Sequence, residues 1–266
     1  MKEKIRILAL GDIIGSSGRT VFQKHIQNLK ETYNVDFVVV NGENSSHGRG
    51  ITTKIARFFK QHGVDAITSG NHIWANKEVF KFMDEEQYVL RPANYPGGCP
   101  GSGYALVEKD GVRIAVVNVQ GRVFMRDTID CPFRTLESLL VFLKTKTNII
   151  FVDFHAEATS EKLGLAYYLD GQISALVGTH THVQTADERI LEGGTAYITD
   201  LGMAGSFDSM IGMKKGPIID RFITQMPRKF EVSESSPFIL TGACIEVDVE
   251  SGKATSIERV FVKDEG

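Results

Sequence analysis

Three of the seven histidines, His155, His180 and His182, follow closely on apolar runs of the sequence. Imidazole is the commonest metal-binding side chain of proteins and also a frequent general acid or base. His180 and His182 are separated by one residue, so in an extended backbone both rings would lie on one face of the chain. They could then reach one metal ion or two neighbouring ions. A single histidine in such a place is about as often a half-buried structural residue, so the pair is the more specific signal.

Oxygen donors follow three earlier apolar runs, at Asp12, Glu43 and Asn71. Carboxylate combined with imidazole suits borderline metals such as Zn, Fe, Mn and Co. Asp12 and Asn71 each have an ordinary alternative as a helix-capping residue, whereas Glu43 at the exit of a buried strand has none. A carboxylate there can bind two cations, one with each oxygen. Because these clusters occur together in one chain, the sequence predicts a metal centre and favours one with two ions.

Short apolar runs alternate with amphipathic segments through the first two thirds of the chain, which predicts an α/β fold with largely parallel strands. Ligands of open α/β sheets bind beyond the carboxyl ends of the strands, so donors that are distant in sequence can meet there. The last three predicted strands have no helices between them, and we expect antiparallel additions or a second sheet packed on the first. The predicted strands are 5–10, 37–40, 66–69, 114–119, 149–154, 175–178, 196–199, 238–247 and 256–262, and the predicted helices are 18–33, 53–62, 76–85, 133–145 and 160–169.

Two segments, 91–103 and 201–237, are predicted to be long loops, which in compact domains are usually functional lids or disordered. No repeat or linker interrupts the chain, so residues 1–266 are predicted to form one domain. The second loop carries five large apolar side chains that could line a subunit interface or a substrate cleft: Met203, Phe207, Met210, Ile211 and Met213.

The composition excludes several classes of protein. A formal net charge of −3 over 266 residues disfavours nucleic-acid binding driven by bulk positive charge. Three cysteines without paired spacing argue against a disulfide framework. The first apolar run is too short for a signal peptide, and no stretch approaches the roughly 18 residues of a membrane span. We therefore expect a cytoplasmic protein. The glycines of residues 11–18 lack the spacing of a dinucleotide or P-loop fingerprint, which disfavours a nucleotide-dependent dehydrogenase.

In chain order, Gly11-Asp12, Gly42-Glu43-Asn44, Gly70-Asn71-His72, His155 and the run from Gly178 to His182 resemble the motifs of the calcineurin-like metallophosphoesterases. Three departures are informative. Ile14 stands where that superfamily usually has histidine, Glu43 stands in its Gly-Asp-x-x-Asp block, and Ile73-Trp74 follow Gly-Asn-His. At these three places the sequence resembles the bacterial YmdB-type branch. Segments 91–96 and 199–203 resemble that branch as well.

The resemblance implies an α/β fold of the metallophosphoesterase type, a four-layer sandwich in which helices flank two central mixed β-sheets. It implies two divalent or trivalent metal ions, often iron, with Mn or Zn as alternatives. One ion would be bound by Asp12, Glu43 and His182, and the other by Glu43, Asn71, His155 and His180. Asn44 would position the substrate phosphate or the bridging solvent, and His72 would be the general acid.

The function implied is a phosphodiesterase that hydrolyses 2′,3′-cyclic nucleotides through a metal-bridging hydroxide, with a nucleotide or phosphoester as substrate. Two alternatives stay open at this point. One is a phosphatase or phosphodiesterase of broader specificity, and the other is a regulatory protein that binds nucleotides or RNA ends with incidental turnover. The oligomeric state is also open, with a homo-oligomer among the alternatives.

Overall fold

The apolar runs of the sequence become strands that divide between two β-sheets, in a computed structural model that describes residues 2–266. The strands are β1 (Lys4–Ile13), β2 (Phe37–Asn41), β3 (Ala66–Thr68), β4 (Tyr104–Lys109), β5 (Val112–Gln120), β6 (Ile149–His155), β7 (Ala175–Thr179), β8 (Arg189–Ile190), β9 (Ala196–Ile198), β10 (Met203–Ser206), β11 (Phe238–Asp248) and β12 (Ala254–Asp264). The helices are α1 (Gly15–Thr32), α2 (Thr53–Gln61), α3 (Val79–Glu85), α4 (Pro132–Leu143), α5 (Thr159–Tyr168) and α6 (Lys215–Thr224).

Each sheet has six strands and mixes parallel with antiparallel pairing. The first sheet has the order β12-β11-β10-β1-β2-β3, in which β1 is parallel to β2 and antiparallel to β11. The second has the order β4-β5-β6-β7-β9-β8, in which β5, β6, β7 and β9 run parallel. The expectation of two mixed sheets is confirmed. The late strands, however, do not form a sheet of their own, because β9 joins the second sheet and β11 and β12 extend the first.

Alternation along β1 shows how the layers stack. Ile5 and Ile7 face the second sheet and share a buried cluster with Ile114 and Phe151. Leu8 and Leu10, on the opposite face of the same strand, pack against α1 and α2. The outer face of the second sheet is covered in the same way by α4 and α5. Side chains of successive strand residues point to opposite faces, so the central strands of each sheet are buried on both faces and the four-layer sandwich is confirmed.

The prediction of one long loop over residues 201–237 was wrong, because this segment contains β10 and α6. The β10 run Met-Ala-Gly-Ser has no apolar alternation, and it forms a strand because it lies between β1 and β11. Helix α6 carries Gly216 and Pro217 in its first turn, where proline is tolerated but reads in sequence as a breaker. Strand β4 was also missed, although Asp110-Gly111 joins it to β5 in a hairpin. Segment 91–103 contains no helix or strand.

Among residues 2–266, no helix is both long enough and apolar enough to cross a membrane.

Candidate metal centre

Ends of strands from both sheets converge on one place. Asp12 lies near the end of β1, Glu43 follows β2, and His155 is the last residue of β6. All three are fully buried. His180 and Asn71 follow β7 and β3 and are partly buried. The carboxyl ends of β1, β2, β3, β6 and β7 thus bring together donors that are up to 168 positions apart, as the sequence predicted.

His155 Nε2 lies at the centre of this group. It is 3.2 Å from Glu43 Oε1, 3.1 Å from Asn71 Oδ1 and 2.9 Å from His180 Nδ1. One ligand atom each from Glu43, His155 and His180 lies within 4.8 Å of the others, a separation suited to a shared metal ion.

The outer hydrogen bonds of the two imidazoles show which nitrogens carry lone pairs. His155 Nδ1 lies 3.0 Å from Thr179 Oγ1, which in turn donates to Asp153 Oδ1 at 2.8 Å. In the neutral ring Nδ1 is therefore the protonated nitrogen and Nε2 bears the lone pair. His180 Nε2 lies 3.1 Å from a carboxylate oxygen of Glu157, so His180 donates there and its Nδ1 bears the lone pair. This arrangement is usual for metal-binding histidines.

Four lone pairs consequently face one another, and only a cation relieves their repulsion. A proton on His155 meets the same need: although burial lowers the pKa of His155, the carboxylates of Glu43 and Asp12 raise it to about 9. The opposite holds for His180, whose pKa burial and the neighbouring His155 lower to about 3. The donor set fits a metal ion.

A second group of donors adjoins the first. Asp12 Oδ1 is buried without a hydrogen-bond partner, and His182 Nε2 lies 3.8 Å from it. His182 Nδ1 donates to the carbonyl of Ile211 at 3.0 Å, which leaves Nε2 as the lone-pair atom that faces Asp12. Burial raises the pKa of Asp12 to about 6 against the opposing effect of His182. A buried acceptor without a donor is costly, and this one also fits a cation.

The prediction of an extended backbone at His180 and His182 was wrong. The backbone is not extended at either residue, since φ is +100° at His180 and +62° at His182. Both imidazoles face the centre because the chain turns after β7. The backbone N–H of His180 donates to Asp12 Oδ2 at 3.1 Å, which ties this turn to β1.

His72 and Asn44 border the centre on the side of Glu43. His72 Nδ1 lies 3.1 Å from Glu43 Oε1, and the backbone N–H of His72 donates to Glu43 Oε2 at 3.1 Å. Burial would raise the pKa of Glu43, yet His155 and His72 hold it well below the usual value. Asn44 donates from Nδ2 to the carbonyl of Gly48 at 3.1 Å, while its Oδ1 is buried without a partner.

A second layer of polar residues, missed in the sequence, supports the ligands. Asp153 is buried in β6 and accepts from Thr179, Asn41 and Thr68. An aspartate inside an apolar strand was the available signal for it. Lys162 on α5 is fully buried and donates to the carbonyl of Thr179 at 2.8 Å. Nothing in the sequence separates Lys162 from an exposed lysine of an amphipathic helix.

Ile14, two residues after Asp12, makes apolar contacts. It is fully buried in a small cluster with Met203 and Ile239, against which Met213 packs. A Cβ on Gly212 would lie 2.5 Å from Ile14 Cδ1, so the segment after β10 approaches this side chain closely. The residue two positions after Asp12, in the second group of donors, is therefore part of an apolar cluster and offers no ligand atom.

A family model described as "YmdB-like protein" matches residues 8–260. The chain is 48% identical over 261 residues to a 2′,3′-cyclic-nucleotide 2′-phosphodiesterase of Bacillus subtilis (strain 168), with 98% of each chain covered. A crystal structure of a phosphatase from Mycoplasma pneumoniae is similar with a TM-score of 0.93 at 36% identity, covering 100% of this chain and 95% of that one. An NAD nucleotidase of Haemophilus influenzae shares the fold alone, with a TM-score of 0.62 at 15% identity and 98% and 56% of the two chains covered.

Proposed function

Because this chain belongs to the YmdB-like family, we propose that it is a metal-dependent phosphodiesterase that hydrolyses 2′,3′-cyclic nucleotides. The observation that carries the proposal is the convergence of Glu43, Asn71 and His180 on His155 Nε2, each within 3.2 Å. The B. subtilis relative, at 48% identity, is named for this activity.

We assign two metal ions to the two groups of donors, with iron preferred and Mn or Zn as alternatives. Asp12, Glu43 and His182 would hold one ion, and Glu43, Asn71, His155 and His180 the other, so that Glu43 bridges them. Two such ions would neutralise the phosphate oxygens and lower the pKa of a water molecule held between them.

Hydrolysis of the cyclic phosphate adds water across one P–O bond. The oxygen of water becomes bonded to phosphorus, one P–O bond to the ribose breaks, and the departing ribose oxygen takes up a proton. His72 is the proposed donor of that proton. Its Nδ1 faces Glu43, so Nε2 is free to give a proton to the leaving group. Its side chain is 22% exposed, which allows the proton to be replaced from solvent. The free Oδ1 of Asn44 would orient the attacking water.

The proposal is tested by turnover of 2′,3′-cyclic AMP. Wild-type protein should release adenosine monophosphate, and Glu43→Gln should lose activity at least 10³-fold, because the variant removes the bridging charge. Glu137→Gln, an exposed position on α4, is the matched control and should retain wild-type turnover. Glu43→Gln at wild-type rate would refute the assignment of this site as the active site.

A broader phosphatase is the second candidate, supported by the M. pneumoniae relative that is named a phosphatase. A phosphodiesterase and a phosphatase differ in whether they hydrolyse the adenosine monophosphate that is formed. A phosphodiesterase stops at adenosine monophosphate, whereas a phosphatase continues to adenosine and inorganic phosphate. Incubation with 2′-AMP and 3′-AMP as substrates separates them, and we expect both monoesters to persist.

A further inference from the structure

A cavity of about 1010 Å³ opens between segment 91–103, the start of α4 and the first residue of β4. Its lining includes Arg91, Arg122 and Arg134, and it contains none of the residues assigned to the metal centre. We propose that this cavity is a second, separate site that binds the phosphate group of a small phosphorylated ligand through these three arginines.

The charge of the cavity lining is the first argument. Three guanidinium groups line it, together with a single carboxylate, that of Asp130. Within residues 2–266, none of these arginines forms an ion pair of 4.0 Å or less. The whole chain carries a net charge of −3, so this concentration of unpaired positive charge is local. Guanidinium groups bind phosphate with paired hydrogen bonds.

The hydrogen bonds and burial of the Arg91 guanidinium also favour a bound anion. Its Nε is buried and has no hydrogen-bond partner, while its Nη1 donates to the carbonyl of Pro92 at 2.9 Å. Burial lowers the pKa of this guanidinium. Because Nε is closed to water, an anion in the cavity would reach this guanidinium at Nη2, which donates to no group of residues 2–266.

The cavity is also held in shape. The backbone N–H of Arg91 donates to the carbonyl of Ser102 at 3.0 Å, and that of Ala93 donates to the carbonyl of Asn118 at 2.7 Å. Arg134 lies in the first turn of α4, where Cys131 provides no side-chain cap for the free backbone N–H groups. These groups add donors and a partial positive charge, which support the arginines.

Aromatic side chains in the cavity lining bear on whether the ligand is free phosphate or a nucleotide. Tyr104 and Phe142 line the cavity with ring centroids 5.9 Å apart, and Phe142 is 42% exposed. Aromatic faces beside arginines suit a nucleobase. The ligand is therefore free phosphate or a nucleoside monophosphate. The nucleotide alternative rests on the proposed function, because adenosine monophosphate would be the product of that hydrolysis. The binding of free phosphate does not rest on the proposed function.

Calorimetric titration with inorganic phosphate and with 3′-AMP tests the site. Wild type is compared with the double variant Arg122→Ala/Arg134→Ala and with Arg126→Ala. Arg126 is an exposed arginine that lies, like Arg122, between β5 and α4, but it does not line the cavity. Any binding at the metal centre is common to all three proteins. We expect the double variant to weaken phosphate binding at least 10-fold and Arg126→Ala to leave it unchanged. Equal isotherms for all three proteins, or equal losses in both variants, would overturn the site.

The second ligand identifies the source. Tighter binding of 3′-AMP than of phosphate, with the difference abolished by Phe142→Ala, would assign the site to nucleotides. Equal binding of the two ligands would assign it to free phosphate. Both results retain the site, and neither depends on catalysis, so a failure of the proposed hydrolysis would leave this test intact.

Discussion

The ammonium group of Lys162 lies 2.8 Å from Asp200 Oδ2, and both side chains are fully buried. Asp200 Oδ2 also accepts from the backbone N–H of Thr181 at 3.1 Å, between the two histidines of the metal centre. Asp200 Oδ1 accepts from Gly202, whose carbonyl accepts from the backbone N–H of Asp12 at 3.0 Å. The pair therefore joins α5, the histidine turn and the end of β1 into one hydrogen-bonded unit.

Removing one member of this pair should be strongly destabilising. Lys162→Met leaves a buried carboxylate without its cation, for which we expect a loss of about 3–5 kcal/mol in the free energy of unfolding. Urea denaturation measures it. The double variant Lys162→Met/Asp200→Leu should lose less than the sum of the single changes, because it leaves no unpaired charge. A Lys162→Met protein as stable as the exposed-site control Lys144→Met would contradict the role of the pair.

Thr179→Val should weaken metal binding without touching a ligand. The substitution removes the hydroxyl that accepts from His155 Nδ1 and donates to Asp153. Loss of such outer partners typically costs about 10–100-fold in metal affinity. Competition with a metal chelator measures the affinity, and Thr255→Val, at an exposed residue of β12, serves as the control. Unchanged affinity in Thr179→Val would show that the hydroxyl does not orient His155.

His72→Asn should impair hydrolysis according to the leaving group. A positioned general acid contributes about 10²–10⁴-fold, so turnover of 2′,3′-cyclic AMP, which has a poor leaving group, should fall by that factor. Hydrolysis of bis(p-nitrophenyl) phosphate should fall far less, because its leaving group needs no proton. Full activity of His72→Asn on the cyclic nucleotide would exclude His72 as the acid.

Asp264 should stabilise the fold in a pH-dependent manner. Its carboxylate binds Lys24 at 2.8 Å and His25 at 2.6 Å, and hydrogen bonds from these groups hold its pKa well below the usual value. A lowered pKa means that the contribution is complete above the unfolded value of about 3.9 and is lost as pH falls through the folded value. The Tm of wild type should therefore exceed that of Asp264→Asn at pH 6, and the difference should narrow steadily as the pH falls below about 4. A Tm difference that does not vary with pH would refute this linkage, and Asp208→Asn is the exposed control.

The strand ends that carry the donors were predictable, because buried parallel strands read as continuous apolar runs and place their exits at one edge. The convergence of Asp12, Glu43, His155 and His180 followed from that periodicity, and their roles as ligands stay a prediction. The assignment of strands to sheets was not predictable from periodicity, since β3 and β5 are both apolar runs yet lie in different sheets.

Features that depend on tertiary context could not be predicted from the sequence. The left-handed backbone at His180 and His182 is imposed by the turn that Asp12 and Asp200 bind. Strand β10 forms because two neighbours supply its hydrogen bonds. Lys162 is buried only because Asp200 and Thr179 meet it. In each case the deciding partner lies at least 17 residues away, beyond the reach of local patterns.

Metal stoichiometry of the freshly purified protein tests most directly whether Glu43 joins two metal ions. Elemental analysis combined with anomalous diffraction counts and locates the ions in wild type and in Glu43→Gln. We predict two ions per wild-type chain, one beside His182 and the other beside His155, with both sites weakened in the variant. A wild-type protein that turns over 2′,3′-cyclic AMP at full rate with a single ion, or a Glu43→Gln protein that retains both, would contradict the account.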